Sequence, residues 1–172
     1  MIYVSPLSQV TDAIERIKPS HLVSLLDPET MIDTPRGIAP ERHLRLGVND
    51  IAMPIDDLVP PSSAHVQQLV SFVKSWDQQQ PLLVHCWAGI SRSTAAAFIT
   101  LCVLNEYHPE DDLARLVRAC GAHAQPNRLM VGLADDLLNR RGRMRAAVEA
   151  LGPGKAAWEG QLFAIPLRPE RP

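Results

Sequence analysis

Four short apolar runs punctuate the first half of the chain: IYV (2–4), HLVSLL (21–26), HLRLGV (43–48) and PLLVH (81–85). Each is rich in Val, Ile or Leu and bounded by Pro, Asp or Asn, the pattern of buried strands. Between the first two, Leu7, Val10, Ile14 and Ile17 recur on one helical face, so a helix is predicted there. Ser5 is its expected N-cap, Pro6 its first helical residue and Pro19 its stop. Ahead of the fourth run, Val66, Leu69, Val70, Val73 and Trp76 repeat the same periodicity. Strands alternating with helices predict a largely parallel central sheet of four to five strands, covered on both faces.

The pattern changes after residue 91. Residues 93–104, STAAAFITLCVL, are apolar almost all round, which suits a central buried helix. PEDDLARLVRACG (109–121) opens on Pro and three acids and ends on Gly, as a helix complementing its own dipole does. PNRLMVGLADDLLN and RMRAAVEAL predict two more helices. The C-terminal half is therefore expected to be mainly helical in an α/β fold. One domain over 1–172 is expected, with 153–172 as a packed extension or a frayed end.

Composition narrows the function classes. The 172 residues are 46% hydrophobic, with a formal net charge of -2, a pI near 6.3 and no run of Lys or Arg. That balance offers no basic footprint to nucleic acid and nothing to an anionic membrane. No apolar stretch has the length of a membrane span, and the opening MIYVSPLSQV lacks a secretion signal. Cys86, Cys102 and Cys120 are an odd count without C-x-x-C spacing, against both a disulfide framework and a zinc site. A reducing, cytoplasmic setting is expected, with no cofactor and no metal. Oligomeric state is not encoded in any pattern found.

One stretch carries chemistry: HCWAGISRS, residues 85–93. A strand ends at His85 and a helix begins within a few residues, so CWAGISR is a tight strand-to-helix loop. Such a loop aims backbone N–H groups at one point and adds the positive end of a helix dipole, which together attract an anion. The cradle comprises Trp87, Ala88, Gly89, Ile90, Ser91 and Arg92. Gly89 frees the turn, and the Arg92 fork matches two phosphate oxygens. A free thiol titrates near 8.5, but helix N-termini and nearby cations bring it to about 3.5–7.5. Cys86 is thus expected to be a thiolate able to attack a bound phosphoryl group in line.

HCWAGISRS resembles the H-C-x-x-G-x-x-R-[S/T] signature of the cysteine-based protein tyrosine phosphatases, in the form of their dual-specificity-like branch. More weakly, the resemblance runs from about residue 21 to about residue 139, through HLRLGVND and the PN of Pro126 and Asn127. It implies a phosphatase-type fold and hydrolysis of phosphotyrosine, with phosphoserine and phosphothreonine as further substrates, through a phosphocysteine on Cys86. It also implies that Ser93 stabilises the departing thiolate, and that His85 orients the loop and tunes the sulfur by hydrogen bonding. The substrate would be a phosphorylated protein or a small phosphate ester. Two alternatives stand beside this: a phosphate-binding pseudophosphatase, and a phosphatase of a non-protein ester. Family members acting on inositol lipids tend to carry lysines in the loop, and WAGIS has none.

Ester cleavage needs an acid to protonate the leaving oxygen. Asp50 follows HLRLGV, where the family's acid sits, yet it precedes Cys86 by 36 positions, against 30 for Asp56 and 29 for Asp57. Spacing favours the later pair. Position at a strand's end favours Asp50, because a strand fixes geometry while a loop varies in length.

Other residues read as structural. Cys102 is expected in the core. His21, His43, His65, His108 and His123 are expected at the surface or in caps, and Trp76 and Trp158 in packing. Trp87 lines the rim or packs behind the loop. Arg140, Arg141, Arg143 and Arg145 are expected on a solvated helix face.

Overall fold

A computed structural model describes residues 1–53 and 55–168. The predicted strands form: β1 (Ile2–Pro6), β2 (His21–Leu26), β3 (His43–Gly47) and β4 (Leu82–Cys86). A fifth, β5 (Phe163–Ile165), comes from the tail. Strand order is β3-β2-β4-β1-β5, parallel except for β5, which runs antiparallel to β1. The tail is therefore a packed extension as far as β5.

Among the described residues, six helices cover the sheet unequally, and α1 (Val10–Ile17) alone of these packs on one face, where Val10, Ala13 and Ile14 meet Leu22 and Leu83 in a small cluster. The other face carries α2 (Ser63–Ser75), α3 (Arg92–Leu104), α4 (Glu110–Cys120), α5 (Arg128–Leu137) and α6 (Arg143–Ala150). There Val4, Val23, Leu25 and Val84 pack with α2 and α3 in the main core. Helix α3 is buried from Arg92 to Cys102, which explains its nearly uniform apolar sequence. No helix among the described residues is long and apolar enough to cross a membrane.

Several expectations fail for identifiable reasons. Ser5 does not cap α1: it is a buried residue of β1, and Pro6 ends that strand before a 3-10 turn (Leu7–Gln9). Parallel pairing with β4 out to Pro6↔Cys86 claims both residues for the sheet. Trp158 packs on nothing, at 98% exposure, whereas Trp76 is core. His21 and His43 are buried, while His65 caps the α2 N-terminus with Ser62.

The arginine cluster is not uniformly solvated. Arg140 is buried: its Nη1 donates to Glu106 O and Glu110 Oε1, and its Nη2 donates to Cys102 O near the end of α3. Arg143 donates to the other oxygen of Glu110, and Arg145 pairs with Asp136. Burial alone would push the Glu110 carboxyl up, but hydrogen bonding and charge from Arg143 and Arg140 hold it below the usual range.

Removing one partner of a buried pair strands the other's charge, at a cost of about 3 kcal/mol or more. Arg140→Ala is therefore expected to lower the free energy of unfolding by about 3 kcal/mol in urea titrations, against less than about 1 kcal/mol for the exposed Arg115→Ala.

Candidate active site

Three parallel strands deliver their carboxyl ends to one place, and the candidate residues lie just beyond them. Asp27 follows β2, Asp50 lies three residues past β3, and Cys86 closes β4. Open α/β sheets bind ligands at these ends.

The loop from Cys86 to Arg92 has the shape its residue types suggest. Gly89 takes φ +70, and a Cβ there would lie 2.7 Å from Pro6 N and 2.8 Å from Ser5 C, so any side chain would collide with the end of β1. The Gly89 N–H donates to Cys86 Sγ at 3.3 Å, and the Ser93 hydroxyl lies 3.2 Å from the same sulfur. Trp87 is 58% exposed, which puts it on the rim instead of behind the loop.

Five loop carbonyls are held away from the centre by partners from four separate segments. Trp87 O accepts from Leu7 N, Ala88 O from Gly160 N, Ile90 O from Gln125 N and Ser91 O from Asn127 N. Cys86 O lies 3.4 Å from His85 Nδ1. Thr94 adds its hydroxyl to the carbonyls of Ile90 and Ser91. With carbonyls bonded outward, the amides of a tight turn face inward, as an anion-binding nest requires. The tail segment before β5 is part of this framework through Gly160. A Cβ at Gly160 would collide with the His123 ring.

Arg92 is 4% exposed and has a fixed pose. Its Nη1 donates to Asp27 Oδ1 at 2.8 Å and to Val48 O at 2.7 Å. Its Nε–H is buried with no partner among the described residues; Asp50 Oδ2 stands 3.9 Å from it. A buried guanidinium N–H without an acceptor costs free energy, so this donor is aimed at something that brings an oxygen.

Asp50 is the aspartate of the disputed three that reaches the loop. Its Oδ1 accepts from Ser91 Oγ at 2.6 Å and from Asn127 Nδ2 at 2.9 Å. Asp56 and Asp57 lie exposed farther along the same connection, and neither side chain makes a hydrogen bond or ion pair with the cradle among the described residues. Beside Asp50 a cleft of about 420 Å³ opens between the cradle and the α5–α6 region, lined in part by Ser91, Asn127 and Arg128.

The His85 ring reaches the Cys86 carbonyl and the Ser24 hydroxyl. Burial pushes its imidazole down to about 4. Cys102 is core, and burial raises its thiol to about 12. Among the described residues no group of three or more His, Cys, Asp or Glu could hold a metal ion.

The sequence reading missed Asp27, Asn127, Gln125 and Gly160 as parts of the site. Asp27 had a signal, an acid directly after a buried strand. For Gly160 none existed, since its role depends on the tail folding back 72 positions, from 160 to Ala88.

Among curated proteins none matches the sequence. Solved structures do match the fold. DUSP15 shares it at a TM-score of 0.62 with 21% identity, over 87% of this chain and 90% of that one. The human tyrosine phosphatase-like serine/threonine/tyrosine-interacting protein matches at 0.64 with 17% identity, over 81% and 92%. PTPMT1, solved in complex with PI(5)P, matches at 0.61 with 13% identity, over 88% and 94%. A family described as "Tc-R-P: Polymorphic toxin system, DSP-PTPase phosphatase" matches residues 13–104, which include the second, third and fourth strands and the whole cradle loop. The chain therefore belongs to the DSP-PTPase phosphatases of polymorphic toxin systems, a dual-specificity-like branch of the cysteine-based protein tyrosine phosphatase superfamily.

Proposed function

We propose that this protein hydrolyses phosphotyrosine, and with it phosphoserine and phosphothreonine, through a phosphocysteine on Cys86. The observation that carries the reading is the unpartnered, buried Nε–H of Arg92 beside a loop whose carbonyls are bonded outward around the Cys86 sulfur. A phosphoryl dianion supplies acceptors to that donor and to the inward amides.

In the first step the Cys86 thiolate attacks phosphorus in line, and the S–P bond forms as the ester P–O bond breaks. Asp50 gives its proton to the leaving oxygen. In the second, Asp50 takes a proton from water as that water attacks phosphorus, releasing phosphate and the thiolate. Ser93, with its hydroxyl 3.2 Å from the sulfur, stabilises the leaving thiolate. Asp27 and Val48 O hold Arg92 so that its fork needs little reordering to meet the equatorial oxygens. Asn127 and Ser91 hold Asp50 at the mouth.

The exposed Trp87 on the rim and the absence of lysine from the loop support an aryl or peptide ester over an inositol lipid. Membership of a family of DSP-PTPase phosphatases supports a phosphate ester as the substrate. Contact of the tail with the cradle supports treating 1–172 as one functional domain.

Turnover of p-nitrophenyl phosphate and of phosphotyrosine, phosphoserine and inositol-lipid substrates tests the reading. Cys86→Ser is expected to abolish turnover of all of them while inorganic phosphate still binds. A folded parent protein that binds phosphate without turnover would make the module a pseudophosphatase. Asp50→Asn is expected to slow an alkyl phosphate at least ~100-fold and p-nitrophenyl phosphate much less, because a good leaving group needs no acid. Asp57→Asn should leave both rates unchanged; the reverse pattern would move the acid to that residue. Gly160→Val, which loosens the anchor on the Ala88 carbonyl, should raise KM ~5-fold with kcat less affected, the equivalent of about one hydrogen bond.

A further inference from the structure

On the α1 side of the sheet a row of polar side chains crosses the strands where apolar packing would be expected. Ser5, His85 and Ser24 occupy matched positions on β1, β4 and β2, and all three are fully buried. Ser24 interrupts the otherwise apolar end of β2, and His43 opens β3. The side chains of Thr34, His43, Ser24 and His85 form a continuous chain of contacts, whereas the buried Ser5 Oγ has no hydrogen-bond partner among the described residues. Thr34 Oγ1 lies 3.0 Å from His43 Nδ1, and His43 Nε2 lies 2.8 Å from Ser24 Oγ. Ser24 Oγ lies 2.6 Å from His85 Nε2, and His85 Nδ1 lies 3.4 Å from Cys86 O.

Proton positions along this chain follow from counting. Burial pushes both imidazoles down to about 4, with Arg45 acting in the same direction on His43, and His43 and Arg92 on His85. At neutral pH each ring therefore carries one N–H. A carbonyl oxygen can only accept, so His85 carries its proton on Nδ1, facing Cys86 O. Its bare Nε2 then accepts from the Ser24 hydroxyl. The Ser24 oxygen is left to accept from His43 Nε2–H, and the bare His43 Nδ1 accepts from Thr34. All donors point one way, from Thr34 toward the catalytic loop. In the reversed chain a bare Nδ1 would face the lone pairs of Cys86 O, and the first carbonyl of the cradle would lose its anchor.

We propose that Ser24 and His43 are positioning residues, which set the proton of His85 on Nδ1 and thereby hold the Cys86 carbonyl out of the phosphate cradle. Neither belongs to the signature motif, and neither touches the substrate. Their effect is on anion affinity: a carbonyl free to swing inward opposes the amides around a bound oxyanion. The proposal takes its functional meaning from the phosphate-cradle reading, but the proton placement does not depend on turnover.

Protein labelled with 15N-histidine, studied by long-range 1H–15N correlation at pH 7, reads the tautomers directly. His43→Gln and His85→Gln assign the two signals. The expected parent spectrum has a neutral His85 protonated on Nδ1 and a neutral His43 protonated on Nε2. A parent His85 protonated on Nε2, or a charged His85, overturns the proposal, and this measurement needs no variant that perturbs the core. In Ser24→Ala, His85 is expected to shift toward the Nε2–H tautomer, with inorganic phosphate bound ~10-fold more weakly. His43→Gln, whose amide can still donate to Ser24, should retain the parent tautomer at His85 and the parent phosphate affinity; His43→Leu should lose both. Unchanged tautomer and affinity in folded Ser24→Ala would reduce the row to packing. Parent protein that shows the expected tautomers and binds phosphate, yet turns nothing over, would refute the enzymatic reading and leave this one standing.

Discussion

A backbone that binds an anion must first dispose of its own carbonyls. Each peptide unit in a tight loop offers one donor and one acceptor, and an acceptor left facing the centre would repel the ligand that the donors attract. In this protein five such carbonyls are engaged from outside: by His85, by Leu7 after β1, by Gln125 and Asn127 ahead of α5, and by Gly160 in the tail. These segments span nearly the whole chain. The cradle is therefore a local sequence whose shape depends on distant ones, and much of the fold serves to bring those donors to it.

The charged part of the site obeys a related rule. A guanidinium buried to the extent of Arg92 requires partners, because desolvating an unpaired cation is costly. Asp27 and the Val48 carbonyl satisfy one end of the fork, and the other end keeps a donor in reserve. Strand ends make this possible: adjacent parallel strands deliver Asp27 and the Val48–Asp50 segment to the side of the loop from which Arg92 emerges. Preorganisation here is a matter of sheet topology as much as of side-chain choice.

The two faces of the sheet divide the remaining work. Five helices on one face build a large apolar core around α3, which keeps the helix that follows the cradle rigid. The other face has one helix and a small apolar cluster, leaving room for a buried polar row that ends at the loop. Buried hydrogen-bonded chains of this kind are stable only when every member is satisfied, which is why the direction of each proton matters.

Periodicity was enough to place the four parallel strands and every helix but the start of α1 within a residue or two, because burial on a pleated or helical surface repeats at short range. The HCWAGISRS loop was equally legible, since a nucleophile, a glycine turn and a cation at set spacing are all local requirements. Asp50 could be favoured for its place after a strand, but its contacts with Ser91 and Asn127 span 41 and 77 positions. Ser5 misled because Ser-Pro has the local signature of a helix start while pairing with β4 drew both residues into the sheet. The buried Arg140, the strand formed by Phe163–Ile165, and the roles of Asp27, Ser24, His43 and Gly160 were beyond any window of neighbouring residues. Each depends on two groups meeting only after chain segments far apart have packed, and a polar side chain shows which partner it needs without showing where that partner will come from.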